Sequence, residues 1–406
     1  MTGPDFKPYS RQFAANPYPT YVRLRDKHPI FYSEEYGLTF FSRYRDIAAL
    51  LEDERLGRTM DHVLTRQEIA EQRRAEGWGR LPNYNRYVRV NLLETEGSHH
   101  ESLRRLLKKA FHAVRIRKLR SRIQELTDEL IQDLLPRGRM EFLKDLAVPL
   151  PVFMISELLG WPLDERHRLR PWSAAIVKLY EKDHTEADKL EAEAATTEFA
   201  AMLRDLTDLR RAEPTDDLIS TLAQVELEGE RLSDDELIAS CMLFLNAGHE
   251  ATVNAAGNGT LALLSHPGQK AKLANDPSLI GSALDEMFRF DPPLHFFHRY
   301  VLKDMEYEDR DFRRGDTVGF LYGAANRDPE AFPDPDRFDI TRNPNRHLAF
   351  GRGVHFCMGA PLARLELEIL ITTLLERIPG IQLDEPEPEF SAGLVFRGLK
   401  KLRLSW

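Results

Sequence analysis

The chain has 406 residues, of which 42% are hydrophobic and 30% charged, and its formal net charge is −9. This is the composition of a globular protein, and its acidic balance argues against nucleic acid as the main partner. No apolar run reaches the roughly 18 residues that a membrane span needs, and the polar start lacks the layout of a signal peptide. We therefore expect a cytoplasmic protein without a membrane anchor.

Hydrophobic periodicity predicts a mainly helical chain with short strands, and the absence of a linker indicates a single domain over residues 1–406. Pro149 and Pro151 are expected to begin one helix in the first half. The long segment 60–96 is polar and irregular, which is typical of a functional loop. The other elements predicted in the first half are helices at 17–27, 44–52, 99–114, 120–135, 164–182 and 186–211, and a strand at 38–41.

A long central helix is predicted in the second half. Ser233 and Glu236 form a capping box, and the helix should run to about Leu264, before Pro267. Its stretch 237–245 has no polar stripe and should be buried. The later elements are a helix at 282–290, short strands within 300–322, coil over 323–356, a helix at 359–377 and a hairpin in the last fifteen residues.

A lone cysteine lies in a glycine-rich segment at the end of the predicted coil. The segment holds Phe350, Gly353, His355, Cys357 and Gly359, directly before a helix. Glycines let the backbone turn tightly and approach a flat cofactor, and a helix N-terminus favours a thiolate. A thiolate is the ligand that pushes electron density onto haem iron and favours cleavage of the O–O bond. The spacing of these five residues resembles that of the cytochrome P450 family.

The resemblance implies that Cys357 is the metal ligand and that Phe350 and His355 contact the cofactor, which would be haem b, iron protoporphyrin IX. It also implies a mainly α fold with small β-sheets, in one domain with the long central helix over the haem. The second cysteine, Cys241, lies in the apolar part of that helix, and we interpret it as a small core residue. Two lone cysteines exclude a disulfide framework and a zinc site of several thiolates.

A polar segment interrupts the apolar pattern of the long helix. Thr252 follows Gly248 by four residues, so its hydroxyl can bond to the Gly248 carbonyl and loosen the turn. The segment is similar to the family's acid–alcohol motif, with Glu250 as the acid and Thr252 as the alcohol. The resemblance implies that this pair delivers protons during oxygen activation. We interpret His249 as a structural residue with satisfied ring nitrogens.

Further matches concern the two propionates of haem, which need cationic partners. His100 and Arg104 lie four residues apart on one helix face and match the family's clamp. Arg299 and His355 match two further positions at which the family binds the propionates. The sequence departs from the family pattern where Glu96 begins the segment Glu-Gly-Ser in place of Asp-Pro-Pro.

A third motif is structural. Glu286 and Arg289 lie three apart on a helix and match the family's Glu-x-x-Arg motif, and Arg337 matches its third member. The resemblance implies a buried network that fixes the coil carrying the cysteine.

Positive charge concentrates between residues 101 and 125 although the whole chain is acidic. In the family, the corresponding helix lies where an iron–sulfur protein docks. A ferredoxin-type electron donor is therefore expected near a group of these cations. The group comprises Arg105, Lys108, Lys109 and Arg115.

The predicted activity is that of a haem-dependent monooxygenase. It would activate O2 reductively and hydroxylate, dealkylate or epoxidise a small-to-medium lipophilic substrate, with electrons from a separate ferredoxin and its reductase. Phe296, Phe297 and Phe396 suggest an aromatic substrate pocket. An anionic substrate is an alternative, because a substrate carboxylate could be bound by the arginines at 73, 74, 80, 86 and 89. The alternatives are a peroxide-driven haem-thiolate peroxygenase and a non-catalytic haem sensor, and Glu250 with Thr252 argues against both.

Overall fold

The computed structural model describes residues 4–61, 63–75, 77–110, 113–385 and 387–406, and these form fifteen α-helices and twelve strands. The helices are α1 (Arg11–Ala15), α2 (Tyr18–Lys27), α3 (Tyr44–Leu50), α4 (Arg66–Ala75), α5 (Gly97–Ala110), α6 (Ala113–Leu134), α7 (Pro149–Leu159), α8 (Leu169–Lys178), α9 (Glu186–Ala212), α10 (Leu218–Gln224), α11 (Asp234–Leu264), α12 (Pro267–Asn275), α13 (Ile280–Phe290), α14 (Tyr322–Ala325) and α15 (Ala360–Arg377). The strands are β1 (Ile30–Ser33), β2 (Leu38–Phe41), β3 (Leu56–Gly57), β4 (Arg139–Glu141), β5 (Glu226–Leu227), β6 (Glu230–Arg231), β7 (Phe296–Val301), β8 (Met305–Tyr307), β9 (Arg310–Phe312), β10 (Thr317–Leu321), β11 (Gln382–Leu383) and β12 (Arg403–Ser405).

The long helix α11 lies at the centre of the helical part, as predicted. It begins at the expected capping box. The Glu236 amide donates a hydrogen bond to Ser233 Oγ, and the Ser233 amide donates one to the Glu236 carboxylate at 2.7 Å. The helix packs against α7, α8, α9, α13 and α15, so its sides are enclosed by other helices. Cys241, fully buried on α11, belongs to the same core. No helix within the described ranges is long and apolar enough to cross a bilayer.

The strands form small sheets at the side of the helical part. The largest has five strands in the order β1-β2-β10-β7-β3, and its neighbouring strands β2 and β10 are parallel although they are far apart in the sequence, with Val318 opposite Thr39. A second sheet has the order β11-β12-β4. The observed architecture is therefore the mainly α fold with small sheets that the sequence predicts.

Two local predictions are wrong. The segment 60–96, which was predicted to be irregular, contains α4. This helix begins with a capping box that was not recognised in the sequence, in which the Glu68 amide donates to Thr65 Oγ1 and the Thr65 amide donates to the Glu68 carboxylate. The last fifteen residues do not form a hairpin of their own. Instead, β12 pairs with β11 and with β4, and the β4 partner is too distant in sequence for a local pattern to reveal it.

The third member of the buried ion network is also different from the prediction. Glu286 and Arg289 are fully buried and joined at 2.7 Å, but the second arginine on Glu286 is Arg342, at 3.2 Å. Arg337 lies in a turn that directs its carbonyl oxygen inward, where it accepts a hydrogen bond from Arg289. The side chain of Arg337 points outward and is 64% exposed. Arg289 also donates to the carbonyls of Asn326 and Pro335, so the network ties α13 to the coil before the cysteine.

Candidate active site

The cysteine loop owes its shape to two glycines. Gly351 and Gly353 have φ angles of +66° and +68°, in the left-handed region that favours glycine. A Cβ at Gly353 would lie only 2.6 Å from the Leu51 carbonyl oxygen, so a side chain at this position would collide with the backbone at Leu51. Gly359 has an ordinary φ of −77° at the start of α15, which places the N-terminus of that helix beside the cysteine.

The thiol of Cys357 faces the interior of a cavity at the end of this loop. The surrounding protein desolvates the thiol, which is open to the cavity, and raises its pKa, whereas hydrogen bonds from the Gly359 and Ala360 amides and the charge of Arg104 lower it; desolvation dominates. The helix N-terminus therefore acts as predicted but does not by itself produce a thiolate. Coordination to a metal cation would supply the remaining stabilisation of the charged form.

The cavity that contains Cys357 is mostly apolar and lies between α11, the β7 region, the C-terminal loop and the cysteine loop. Phe297 and Phe396 line it as predicted, but Phe296 faces the other side of β7 and packs against Phe40 in the core. Its lining includes Leu92, Leu93, Tyr180, Leu243, Phe244, Leu294, Tyr322, Phe350 and Leu362.

The face of α11 toward the cavity consists mainly of small residues. Ala247, Gly248, Ala251, Thr252 and Ala255 line it. The helix is α-helical throughout, and in the described structure the Thr252 hydroxyl makes no bond to the Gly248 carbonyl, so the predicted loosened turn is wrong. The threonine hydroxyl is therefore left to bond with groups inside the cavity.

The acid of the predicted pair lies on a different side of the helix. Glu250 and Thr252 are two residues apart, a spacing at which helical side chains do not face each other. Glu250 is half-buried, it is absent from the described cavity lining, and burial raises the pKa of its carboxyl. His249 is buried with neither ring nitrogen hydrogen-bonded in the described structure, so its interpretation as a satisfied residue is wrong; burial lowers its pKa to about 4.

Cationic and imidazole groups gather at one edge of the cavity. Arg104 donates to the Phe356 carbonyl at 2.6 Å, and Arg299, which is buried, donates to the His298 carbonyl. Both arginines line the cavity. His100 lies just behind, with its Nε2 buried and unpartnered in the described structure. Arg104 and Arg299 fit two haem propionates, because both line the cavity and neither forms an ion pair within the described residues. His100 would donate from Nε2 only when protonated, because its Nδ1 already faces the Thr95 carbonyl and burial lowers its pKa to about 4.

His355 is held by a carboxylate that the sequence signalled only as a departure from the family pattern. Its Nε2 lies 2.8 Å from Glu96 Oε1, and its ring packs edge-on against His100 at 4.3 Å. Burial opposes the charge on Glu96, but hydrogen bonds from His355 and from the Arg58 amide hold the pKa of this carboxyl below its usual value. Glu96 therefore orients His355, a positioning role that the sequence did not predict.

A second carboxyl was missed altogether. Glu366 is buried on α15 and lines the cavity, and burial raises its pKa to about 8. The raised pKa favours the neutral, protonated form of this carboxyl at pH 7. The sequence signal is a glutamate among the apolar positions Leu365, Ile369 and Leu370 of an amphipathic helix.

The basic surface is partly neutralised by an acidic hairpin. Arg105 pairs with Glu228 and Glu230 of the β5–β6 hairpin, and Lys109 donates to the Glu226 carbonyl. Lys108 is exposed and forms no ion pair within the described residues. The predicted docking group also includes Arg115, whose side chain lies outside the described part of the chain.

Comparison with known proteins decides the family. The cytochrome P450 family model matches residues 165–396. Cytochrome P450 107B1 of Saccharopolyspora erythraea is 38% identical over 98% of this chain and 97% of its own length. The chain belongs to the cytochrome P450 family. Cytochrome P450 monooxygenase PikC of Streptomyces venezuelae is 37% identical over 99% of this chain and 94% of its own.

The fold comparison agrees with the sequence comparison. The structure of cytochrome P450 PksS of Bacillus subtilis superposes with a TM-score of 0.89 at 34% identity, covering 98% of this chain and 99% of that one. This P450 is therefore a haem-iron monooxygenase, an enzyme that hydroxylates or epoxidises an organic substrate. The predicted family, fold and enzyme class are confirmed.

The cationic edge of the P450 site makes a testable prediction. We expect Arg299→Leu to release haem about 10-fold faster, because a charge-assisted hydrogen bond contributes about 1.5–3 kcal/mol. Transfer of haem to an acceptor apoglobin measures this rate. Arg117→Leu, which removes an exposed cation, is the control and should leave the rate unchanged. Equal rates in the two variants would remove Arg299 from the propionate site.

Proposed function

We propose that this P450 acts as one domain over residues 1–406, uses haem b as cofactor, and oxidises a neutral lipophilic substrate with electrons from a separate ferredoxin. The observation that carries the proposal is a single apolar cavity lined both by the Cys357 thiol and by the small-residue face of α11. Such a cavity offers the metal a sulfur ligand and keeps water away from the reacting centre.

The cofactor would be held by residues that come together around this cavity. Cys357 would be the ligand to iron, and Phe350 would pack against the macrocycle at the cysteine loop. The propionates would be bound by His100, Arg104 and Arg299, with His355 beside them. When bound, the haem supplies reductive activation of dioxygen.

The chain's own residues supply the protons that this chemistry consumes. Thr252 Oγ1 faces the cavity without a partner in the described structure, so it can order a water molecule there. The raised pKa of the Glu250 carboxyl keeps a proton available on it closer to neutral pH. Because the two side chains leave α11 on different sides, the proton passes between them through water.

This arrangement predicts uncoupling in a threonine variant. We expect Thr252→Val to keep consuming NADH while the fraction of electrons that reach product falls by roughly 5-fold or more, since general acid–base groups contribute about 10²–10⁴-fold. The ratio of product to NADH, measured with hydrogen peroxide release, tests it. Thr260→Val is the matched control: Thr260 is buried on the same helix, has no hydrogen bond in the described structure and is absent from the described lining. Equal coupling in both variants would contradict the role of Thr252.

The nature of the cavity favours an uncharged substrate. Arg73 pairs with Asp61 and Arg86 with Asp235, and none of the five arginines considered for a carboxylate is among the described lining residues. The cationic groups that do line it, Arg104 and Arg299, lie at the propionate edge. A carboxylate substrate would therefore meet an apolar wall, at a considerable cost in desolvation.

Electrons would enter over the cysteine loop. Arg104 of α5 contacts the Phe356 carbonyl, and Lys108 follows one turn later on the same helix. Val354 and Phe356 on the loop are exposed apolar residues. An apolar patch beside an unpaired cation is a suitable dock for a small acidic protein. Since Arg105 and Lys109 are already engaged, Lys108 becomes the principal cation among the described members of the predicted group.

We expect Lys108→Glu to slow reduction by an acidic ferredoxin by about 10-fold at low ionic strength, and the difference to shrink as salt is added. Stopped-flow formation of the ferrous carbon monoxide complex, which follows reduction of the ferric enzyme, measures the rate. Lys27→Glu changes the net charge equally from an exposed position on α2 and should have little effect. The same slowing in both variants would place the dock elsewhere.

A reconstituted assay tests the proposed function. Purified enzyme, ferredoxin, reductase, NADH and isotopically labelled dioxygen are incubated with a panel of neutral lipophilic compounds. The proposal expects labelled product that requires the electron donor. Product from hydrogen peroxide alone, without stimulation by the donor, would favour the peroxygenase. Ligand binding with no product under either condition would favour the haem sensor.

A further inference from the structure

We propose that Asn246 selects substrates that carry a hydroxyl or carbonyl group on an apolar skeleton, an inference that rests on the proposed function. Asn246 lies on α11, is 3% exposed and lines the cavity that contains Cys357. Its side-chain amide has no hydrogen-bond partner among the described residues, and its Oδ1 is fully enclosed.

Asn258, three turns further along the same helix, shows which contact is missing at Asn246. Asn258 is equally buried and its Oδ1 is also unpartnered, but its Nδ2 donates to the carbonyls of Asp291 and Arg397 and so joins α11 to its neighbours. Asn246 makes no such connection in the described structure. An unpaired buried amide costs about 1–3 kcal/mol, so a molecule in the cavity that bonds to it gains binding free energy of that order.

The surroundings limit what that group can be. The neighbouring positions on α11, Leu243 and Phe244, are apolar, and so are Leu294 and Phe396 across the lining. Because Oδ1 is enclosed, Nδ2 is the polar group that a ligand can reach, and an amide N–H can donate to a hydroxyl or a carbonyl oxygen, whereas an isolated charge would remain uncompensated there. The occupant is therefore a neutral molecule whose apolar body fills the cavity and whose polar group reaches Asn246.

The position of the amide also bears on regiochemistry. Asn246 precedes Thr252 by six residues, which is about 9 Å along the helix axis. A polar group held by Asn246 would therefore lie away from the oxygen-activating end of the cavity. This separation fixes which carbon of the skeleton is presented for oxidation.

Matched ligand pairs test the inference. The probes are decalin and decalol, cyclododecane and cyclododecanol, and androstane and androstanol, each bound to the holoenzyme and measured by calorimetry. In the native enzyme, at least one alcohol is expected to bind about 10-fold more tightly than its hydrocarbon after correction for their different transfer free energies from water. Asn246→Leu should abolish that preference and leave hydrocarbon binding equal or tighter.

Two further variants keep the test decisive. Asn246→Ser retains a hydrogen-bonding group and should retain part of the preference, while Leu243→Met alters the same wall and should change both members of a pair alike. The inference fails if no pair shows a preference in the native enzyme, or if Asn246→Leu keeps it, as it would if only a bound water satisfies the amide. These binding measurements need no turnover, so an enzyme that binds alcohols through Asn246 but forms no product would contradict the proposed function alone.

Discussion

Cys357→Ser is expected to leave a folded protein that still takes up haem but forms product at least about 10³-fold more slowly, a loss of about 4 kcal/mol in transition-state stabilisation. The reason is electronic, because serine can fill the same space but cannot supply the electron density of a thiolate. Haem uptake should persist, since the residues proposed to bind the propionates, His100, Arg104 and Arg299, lie outside the substituted loop. Haem content and product formation in the reconstituted assay measure the two effects separately.

The second cysteine provides a control within the same chain. Cys241 is fully buried in the core of α11, and it is absent from the described cavity lining. Cys241→Ala should therefore keep the spectrum and most of the activity, with a small loss of stability from the missing volume. Retained activity in Cys357→Ser, or equal losses in the two variants, would contradict the assignment of the metal ligand.

Glu286→Ala is expected to lower the free energy of unfolding by about 3–5 kcal/mol, because it strands buried charge. Arg289 would lose its fully buried partner, and Arg342 would lose the carboxylate at 3.2 Å. The Asp339 amide also donates to Glu286, so the coil before the cysteine would lose an anchor. Denaturant unfolding of the holoenzyme measures the stability, and haem content after purification reports on the cysteine loop.

An exposed ion pair is the appropriate comparison. Arg120 and Glu368 are joined at 2.8 Å between α6 and α15, and their side chains are 53% and 35% exposed. Glu368→Ala should cost less than about 1 kcal/mol, as is usual for pairs in contact with water. If Glu286→Ala were no more destabilising than Glu368→Ala, the buried network of Glu286, Arg289 and Arg342 would not hold the coil. Arg337→Ala should likewise be mild, since the network uses its backbone carbonyl.

The sequence predicted those elements whose cause is local. The Ser233 capping box marks the start of α11, and the apolar pattern that follows shows that the helix is central. The motif around Cys357 predicts a loop before a helix, and the structure has both. Elements that depend on distant partners escaped prediction: β12 is a strand because β4 and β11 pair with it, and nothing within its own three residues specifies this.

The residues of the site also divide into those that a local motif predicts and those that depend on distant contacts. Motif positions predicted which residues gather at the cavity, including Cys357, Thr252 and Arg299. Motifs could not reveal what each side chain touches. Hence Arg342 replaces Arg337 beside Glu286, and Glu96 holds His355. Asn246 and Glu366 were overlooked because a single polar residue in an apolar run becomes informative only once its burial and lack of partners are known.

The most direct measurement of the central claim is the absorbance spectrum of the dithionite-reduced native enzyme under carbon monoxide. The account predicts a Soret band shifted strongly to long wavelength, as sulfur ligation from Cys357 requires, and predicts that Cys357→Ser loses the shift. A band typical of histidine ligation that is unchanged in Cys357→Ser would contradict the account, and so would a native protein that binds no haem.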